Sequence, residues 1–389
     1  MKILHPPSTY IAPDINPERI ASDVIIYPGC RLSGSDLSIG PGSTIGEEAP
    51  ATVNNCQLGA NVHLAGGFFE RTTFLDGFKA GSGAHVRQGC LFEEASSIAH
   101  SVGVKQTVFM PWVTAGSLIN FCDVLMAGGT SRKNHSEIGS SYIHFNFTPK
   151  HDKATASLIG DVPRGVLLNN DRIFLGGQGG IVGPCQLAFG TVIPAGQIWR
   201  WNSELSFFSQ RRKGAENVDA EKHNPVNPVN PVKKESVPLR LCVSASDNQT
   251  DIGVAKTQRI VRANLTYIGN ILALDAWYRV IREPFMSGDL FQRACYQGAL
   301  QRISEILKER LFRLDEFASR EKLSPPMTDA LAQTVADRET TRAPRDVLAI
   351  AEQLPKTNYL QAIQSIPDGD AHILTLWLNG HVGRASRNE

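Results

Sequence analysis

At 389 residues, with 42% hydrophobic and 20% charged side chains, the chain has a globular composition and room for two domains, which excludes wholesale disorder. Lys and Arg number 39 and Asp and Glu 38, a net charge of +1, so no global basic field points to nucleic acid. The seven cysteines (Cys30, Cys56, Cys90, Cys122, Cys185, Cys242 and Cys295) never form a CxxC pair, which argues against a zinc cluster and a dense disulfide framework and suits a reducing cytoplasm.

The opening Met1-Lys2-Ile3-Leu4-His5-Pro6-Pro7 has no long apolar stretch behind the lysine, so no secretory signal is expected. No run of about 18 apolar residues occurs, so neither a spanning helix nor a membrane partner is expected.

Residues 1–205 are rich in Gly, Val, Ile, Ser and Thr and carry a repeat. Leu175, Ile181, Leu187 and Ile193 recur at intervals of six, and Ile26/Leu32, Ile39/Ile45, Leu58/Leu64 and Ile98/Val104 are pairs at the same interval. A period of six fits neither a helix nor a simple hairpin strand. It predicts a β-solenoid with about six residues on each face of a triangular coil. One aliphatic side chain per face points inward, and a small residue such as Gly40, Gly46, Gly59, Ala60 or Ala99 is expected to turn the corner. The register lapses at Gly66–Gln88 and at Asn146–Arg172, which are expected to be loops leaving the solenoid and the place for a site.

Ile138-Gly139-Ser140-Ser141-Tyr142-Ile143-His144-Phe145-Asn146-Phe147, then Lys153, Ile159-Gly160-Asp161 and the stretch Ile173–Gly196, resemble the hexapeptide-repeat acyltransferases. The resemblance is to the acetyltransferase half of the bifunctional N-acetylglucosamine-1-phosphate uridyltransferase/glucosamine-1-phosphate acetyltransferases. It implies a left-handed parallel β-helix, a homotrimer and a site between neighbouring subunits. It also implies a sugar phosphate or sugar nucleotide as ligand and acetyl-CoA as cosubstrate. It does not reach the nucleotidyltransferase half: no Gly-rich phosphate loop followed by a basic residue precedes the solenoid, so pyrophosphorylase activity is not expected.

Acyl transfer to an amine needs a base, donors for the oxyanion and a groove for the coenzyme A arm. Imidazole, with an ordinary pKa of about 6.5, suits the base, and His135 is the candidate. Two alignments stand open. Matching Asn146-Phe147 to the family's Asn-Tyr places Phe121 near the family's catalytic histidine and His135 at a sugar-binding asparagine. Alternatively, Lys133-Asn134-His135 is the stretch that carries the histidine, with most of a coil deleted after it.

Asn146 is expected to contact a sugar hydroxyl or N-acetyl group, because its amide both donates and accepts; a turn role is the rival. Phe147 lacks the family tyrosine's hydroxyl but can stack on a sugar ring. Lys150, Lys153, Arg164 and Arg172 gather cations for a phosphate, with Lys153 and Arg164 the chosen contacts, against the alternative of a solvated basic loop. Gly177 and Ala195, in the last coils, are the expected coenzyme A contacts. The Gly176–Gly180 run lacks a Walker context, and no metal site is expected.

Residues 206–240 hold Arg211-Arg212-Lys213 and three Asn-Pro-Val repeats and read as an extended linker. Residues 241–389 form an α-helical region. One apolar stripe runs from Ile260 to Ile281 and stops at Pro284, and a second runs from Leu290 to Leu314 and stops at Pro325-Pro326. Asp329–Leu354 is a weaker third stretch. The stripes predict a small bundle or packing on the solenoid flank, with Arg302, Glu305, Lys308 and Glu309 as a solvated face. The sequence thus supports an acyltransferase, with a noncatalytic sugar-nucleotide-binding or scaffolding solenoid as the alternative.

Overall fold

The computed structural model describes residues 1–146, 153–200, 249–323, 326–356 and 358–386; the linker expected at 206–240 lies outside them. From Lys2 to Trp199 the chain winds through short strands in three all-parallel sheets of ten, ten and eight strands. Face A runs from Lys2–Ile3 to Val192–Ile193, face B from Tyr10–Ile11 to Ile198–Trp199, and face C from Ser38–Ile39 to Gln186–Leu187. The chain visits A, B and C in turn, so each coil is a three-sided turn of a parallel β-helix, the fold class that the hexad spacing predicts.

Each face contributes one buried column. Ile26, Ile45, Leu64 and Ile98 stack from face A, Leu32, Val53, Phe69 and Val104 from B, and Ile39, Leu58, Phe74 and Phe92 from C. The C column turns aromatic midway: Phe74 and Phe92 stack with centroids 5.4 Å apart. The corners are turned differently from expectation. The residue three beyond the C-column aliphatic takes the left-handed conformation, as at Gly42, Asn61, Gly77, Ala95 and Trp112. Of the small residues directly after an aliphatic, Gly46 does take the left-handed conformation (φ 87°), as expected, whereas Gly40 and Gly59 serve close approach of successive coils. A Cβ on Gly40 would lie 2.6 Å from the Gly59 carbonyl carbon.

Gly66–Gln88 is not an excursion. Gly67–Glu70, Thr72–Phe74, Lys79–Ala80 and Ala84–Val86 are strands in register with the neighbouring coils, Phe69 lying between Val53 and Val86. Phe69 and Phe74 fill the B and C column positions there and Ala80 the A position, with Phe78 buried at the corner before it, so counting aliphatics alone loses the repeat. The chain does leave the solenoid at 127–136 and at 160–173, both on the C-to-A corner. It leaves again on the B-to-C corner after Phe145, returning as the face C strand Ser157–Ile159.

The helices are α1 (Val162–Gly165), α2 (Gln249–Trp277), α3 (Leu290–Arg320), α4 (Pro326–Ala336), α5 (Arg345–Gln353), α6 (Tyr359–Gln364) and α7 (Asp368–Ser386). The α2 helix runs on through a π-helical turn, and Pro284 sits in the 3-10 turn that follows. The third stretch resolves into α4 and α5, and α6 and α7 extend the region beyond it. The α2 and α3 helices lie on the outer side of face C, where the outward residues Leu91, Val108, Leu125 and Leu158 are themselves apolar and buried. Strands buried on both sides read as continuous apolar runs, as in Val124-Leu125-Met126. Each such leucine removed from water contributes about 2 kcal/mol.

This packing overturns the reading of α3's charges as a solvated face. Arg302 is 1% exposed and pairs with Glu305, and Glu305 reaches Arg71 of the solenoid at 2.6 Å; of the four residues only Lys308 is exposed. A second set of charges joins the halves nearby. Arg282 pairs with Glu93 and Glu94, stacks on Tyr359, and lies beside Tyr278, whose hydroxyl donates to Glu93.

Candidate functional site

The B-to-C corner of the middle coils meets the flank of α3, and a cleft of about 270 Å³ opens between them. The parallel register stacks the ends of face B strands, placing Arg87, Lys105 and Cys122 one above another. Asp123, next in the chain, occupies the left-handed corner position with φ 61°. Its carboxylate is shared: Oδ2 accepts from Asn146 Nδ2 at 2.8 Å and Oδ1 from Arg310 Nη2 at 2.8 Å. Lys153, Glu309 and Arg313 also line the cleft.

Five cations (Arg87, Lys105, Lys153, Arg310 and Arg313) therefore face two carboxylates (Asp123 and Glu309). Arg313 is paired with Glu309 and Glu316 at 2.9 and 2.7 Å. Charge-assisted donors on two sides, plus an amide held by a carboxylate, suit an anionic ligand that also carries hydroxyl or amide groups. Cys122 is no nucleophile here: burial and the adjacent Asp123 push its thiol pKa up.

His144 lies two residues before Asn146 but points inward, in the column position held by Phe121 and Ile181 in the flanking coils. Its Nε2 lies 2.8 Å from Ser157 Oγ, and burial pushes its pKa down to about 4, so it is neutral and structural at ordinary pH.

Of the residues singled out in the sequence, the structure brings Asn146 and Lys153 together in this cleft. Phe147 lies outside the described residues, as do Lys150 and His151. His135 sits on the C-to-A corner, with Nδ1 3.0 Å from the Arg132 carbonyl and Nε2 3.5 Å from the Glu137 carboxylate. The donor bond at Nδ1 leaves Nε2 as the basic nitrogen in the neutral ring. Arg164 is on the same corner one coil later, paired with Asp161 and stacked over Phe189. Gly177 and Ala195 lie on the A-to-B corner, where the neighbouring Gly176 is packed so closely that its Cβ would meet Ala195 N at 2.3 Å. Within one chain these four residues are not in the cleft of Asn146.

Arg87, Lys105, Asp123, Arg310 and Arg313 escaped the sequence reading. Arg87 and Lys105 are one coil apart, and that spacing was their signal. Nothing local in α3 marks Arg310. Among the described residues no group of three or more His, Cys, Asp or Glu side chains is placed to hold a metal ion. A larger cavity, about 510 Å³, lies between the C-to-A corner at Asp76 and the start of α3.

The solenoid relates the chain to the hexapeptide-repeat acyltransferases. The particular relatives are curated proteins named Bifunctional protein GlmU. That of Thermotoga maritima is 25% identical over 197 residues, 50% of this chain and 39% of the relative. That of Pelobacter propionicus is 25% identical over 197 residues, 50% and 38%. That of Syntrophotalea carbinolica is 42% identical over 67 residues, 17% and 13%. The chain thus spans about two fifths of the length of the first of these relatives. A solved structure of LpxA from Acinetobacter baumannii covers 54% of this chain and 77% of its own, at 12% identity and a TM-score of 0.24. No family model matches the sequence.

Proposed function

We propose that the chain binds a sugar phosphate or sugar nucleotide in the cleft under α3 and transfers an acyl group to it from acetyl-CoA. The observation that carries the binding reading is the meeting of Asn146 and Lys153 with the stacked Arg87 and Lys105. The three cations take the phosphoryl oxygens, and the Asn146 amide, oriented by Asp123, takes a hydroxyl or N-acetyl group of the sugar. Acyl transfer rests on the likeness to the hexapeptide-repeat acyltransferases, with His135 as base and Gly177 and Ala195 beside the coenzyme A arm. His135 and the cleft lie on different corners, so they would meet between neighbouring copies of a homotrimer. Among the described residues faces A and B are its available walls, because α2 and α3 cover face C.

The same separation favours a second reading, a noncatalytic solenoid that binds sugar nucleotides. Thiol release from acetyl-CoA with a panel of amino-sugar phosphates separates the two. Turnover abolished by His135→Ala in a folded protein supports the transferase. Calorimetric binding of UDP-N-acetylglucosamine without turnover supports the binder, and neither turnover nor binding refutes both.

A further inference from the structure

The cleft has one wall from the solenoid and one from the helical half, and the second wall holds an unusual group. Arg310 is 2% exposed, yet it lines the cleft. Its Nη2 is engaged by Asp123 at 2.8 Å, and Glu309 lies 3.9 Å from the same nitrogen. Among the described residues nothing accepts from Nε or Nη1, and both nitrogens are closed off from solvent, so an anion in the cleft reaches them only with a small shift of the side chain or its neighbours. Buried guanidinium donors without acceptors are unfavourable, and an oxyanion brought against them satisfies both. Arg302, two turns earlier on the same helix, is equally buried with the same two nitrogens unmatched, but it lines no part of the cleft.

We propose that Arg310 is a ligand-binding residue, donating from Nε and Nη1 to the phosphoryl group of the bound sugar phosphate, so that the helical half supplies part of the site. The inference rests on the cleft binding a phosphorylated sugar and adds which residue anchors the anion. Asp123 then has two tasks: through Nη2 it fixes the guanidinium plane, and through its other oxygen it orients Asn146 toward the sugar. One carboxylate thereby ties the phosphate grip to the sugar contact. Lysine at position 310 could keep the charge and the pairing with Asp123, but it would lack the remaining planar donors.

The test is calorimetry on the full chain with glucosamine 1-phosphate, UDP-N-acetylglucosamine and inorganic pyrophosphate. Wild type, Arg310→Lys and Arg302→Lys are compared. The expected result is affinity about tenfold or more weaker in Arg310→Lys and unchanged in Arg302→Lys. Amide hydrogen exchange of wild-type α3 around Arg310 is followed in parallel and should slow at saturating ligand, a readout that needs no variant to fold. Wild-type binding with Arg310→Lys equally tight, or α3 exchange unmoved at saturation, overturns the role of Arg310 alone. Binding of none of the three probes by wild type overturns the phosphorylated-sugar reading and this one together.

Discussion

Asn146 and Lys153 line the cleft from its solenoid side. Removing the Asn146 amide also frees one oxygen of Asp123, so Asn146→Ala should weaken sugar-phosphate binding by about tenfold, as expected for a lost hydrogen bond to a charged group. Lys153→Ala should weaken it less at high salt than at low salt, because the lysine is exposed and its contribution is screened. Titrations at two ionic strengths check both. His144 gives a different kind of expectation. Its folded pKa, about 4, is below the ordinary 6.5, so the unfolded chain takes up the proton first. The stability at stake, about 3 kcal/mol, is present above pH 6.5 and is lost as pH falls toward 4. Glu93, raised to about 7 by burial, works in the opposite sense, its contribution fading as pH rises through 7. Comparing urea midpoints of wild type and His144→Leu isolates the histidine: the difference should shift in the variant's favour on acidification. A flat difference between pH 7 and 4.5 would contradict it. A short resemblance ran through Asn146 and Lys153, so the sequence marked them; nothing marked Arg310, whose place in the cleft depends on which coil a helix more than 150 residues later lies against.

At the scale of elements, the decisive fit is α3 on face C. Gly298 sits where the helix crosses the solenoid: a Cβ there would meet Gln57 Oε1 at 2.3 Å and Thr73 Oγ1 at 2.6 Å. Those two atoms are already bonded to each other at 3.0 Å, and Gln57 is held by the Asp36 carbonyl as well, so neither moves away freely. Alanine for glycine inside a helix ordinarily stabilises by about 1 kcal/mol. Here Gly298→Ala should instead destabilise by about 1–2 kcal/mol through overpacking, as read from urea unfolding; an increase in stability would mean α3 does not dock this closely. The strands were legible from the period of six wherever the column was aliphatic. They were not legible where Phe69 and Phe74 took over the column, because an aromatic filling spoils the count without disturbing the coil. Whereas α6 and α7 lie beyond the stretches that the spacing marked, the α2 and α3 helices were legible from apolar spacing. Their orientation was not, since the charges at Arg302 and Glu305 look solvent-directed until Arg71 is placed opposite them.

For the whole molecule, the described helices cover face C, and among the described residues none covers faces A and B. Light scattering of the full chain is expected to give three times the monomer mass if the transferase reading holds. A monomer would leave His135 and the cleft on separate corners and favour the binding reading. Among the described residues no helix is long and apolar enough to cross a membrane, and the six described cysteines are free and buried. The coils themselves touch only their neighbours along the axis, and such stacks can fray from an end one layer at a time. The α3 helix crosses this grain, touching face C from the strand at Ser38 to the strand at Cys90, and α2 reaches the strand at Ser157. The helical half therefore acts as a splint. Layers that would melt in sequence are bound to one rigid rod, and loosening any of them strains the others, so heat should open the prism in one step where an unsplinted stack would unravel from its tip.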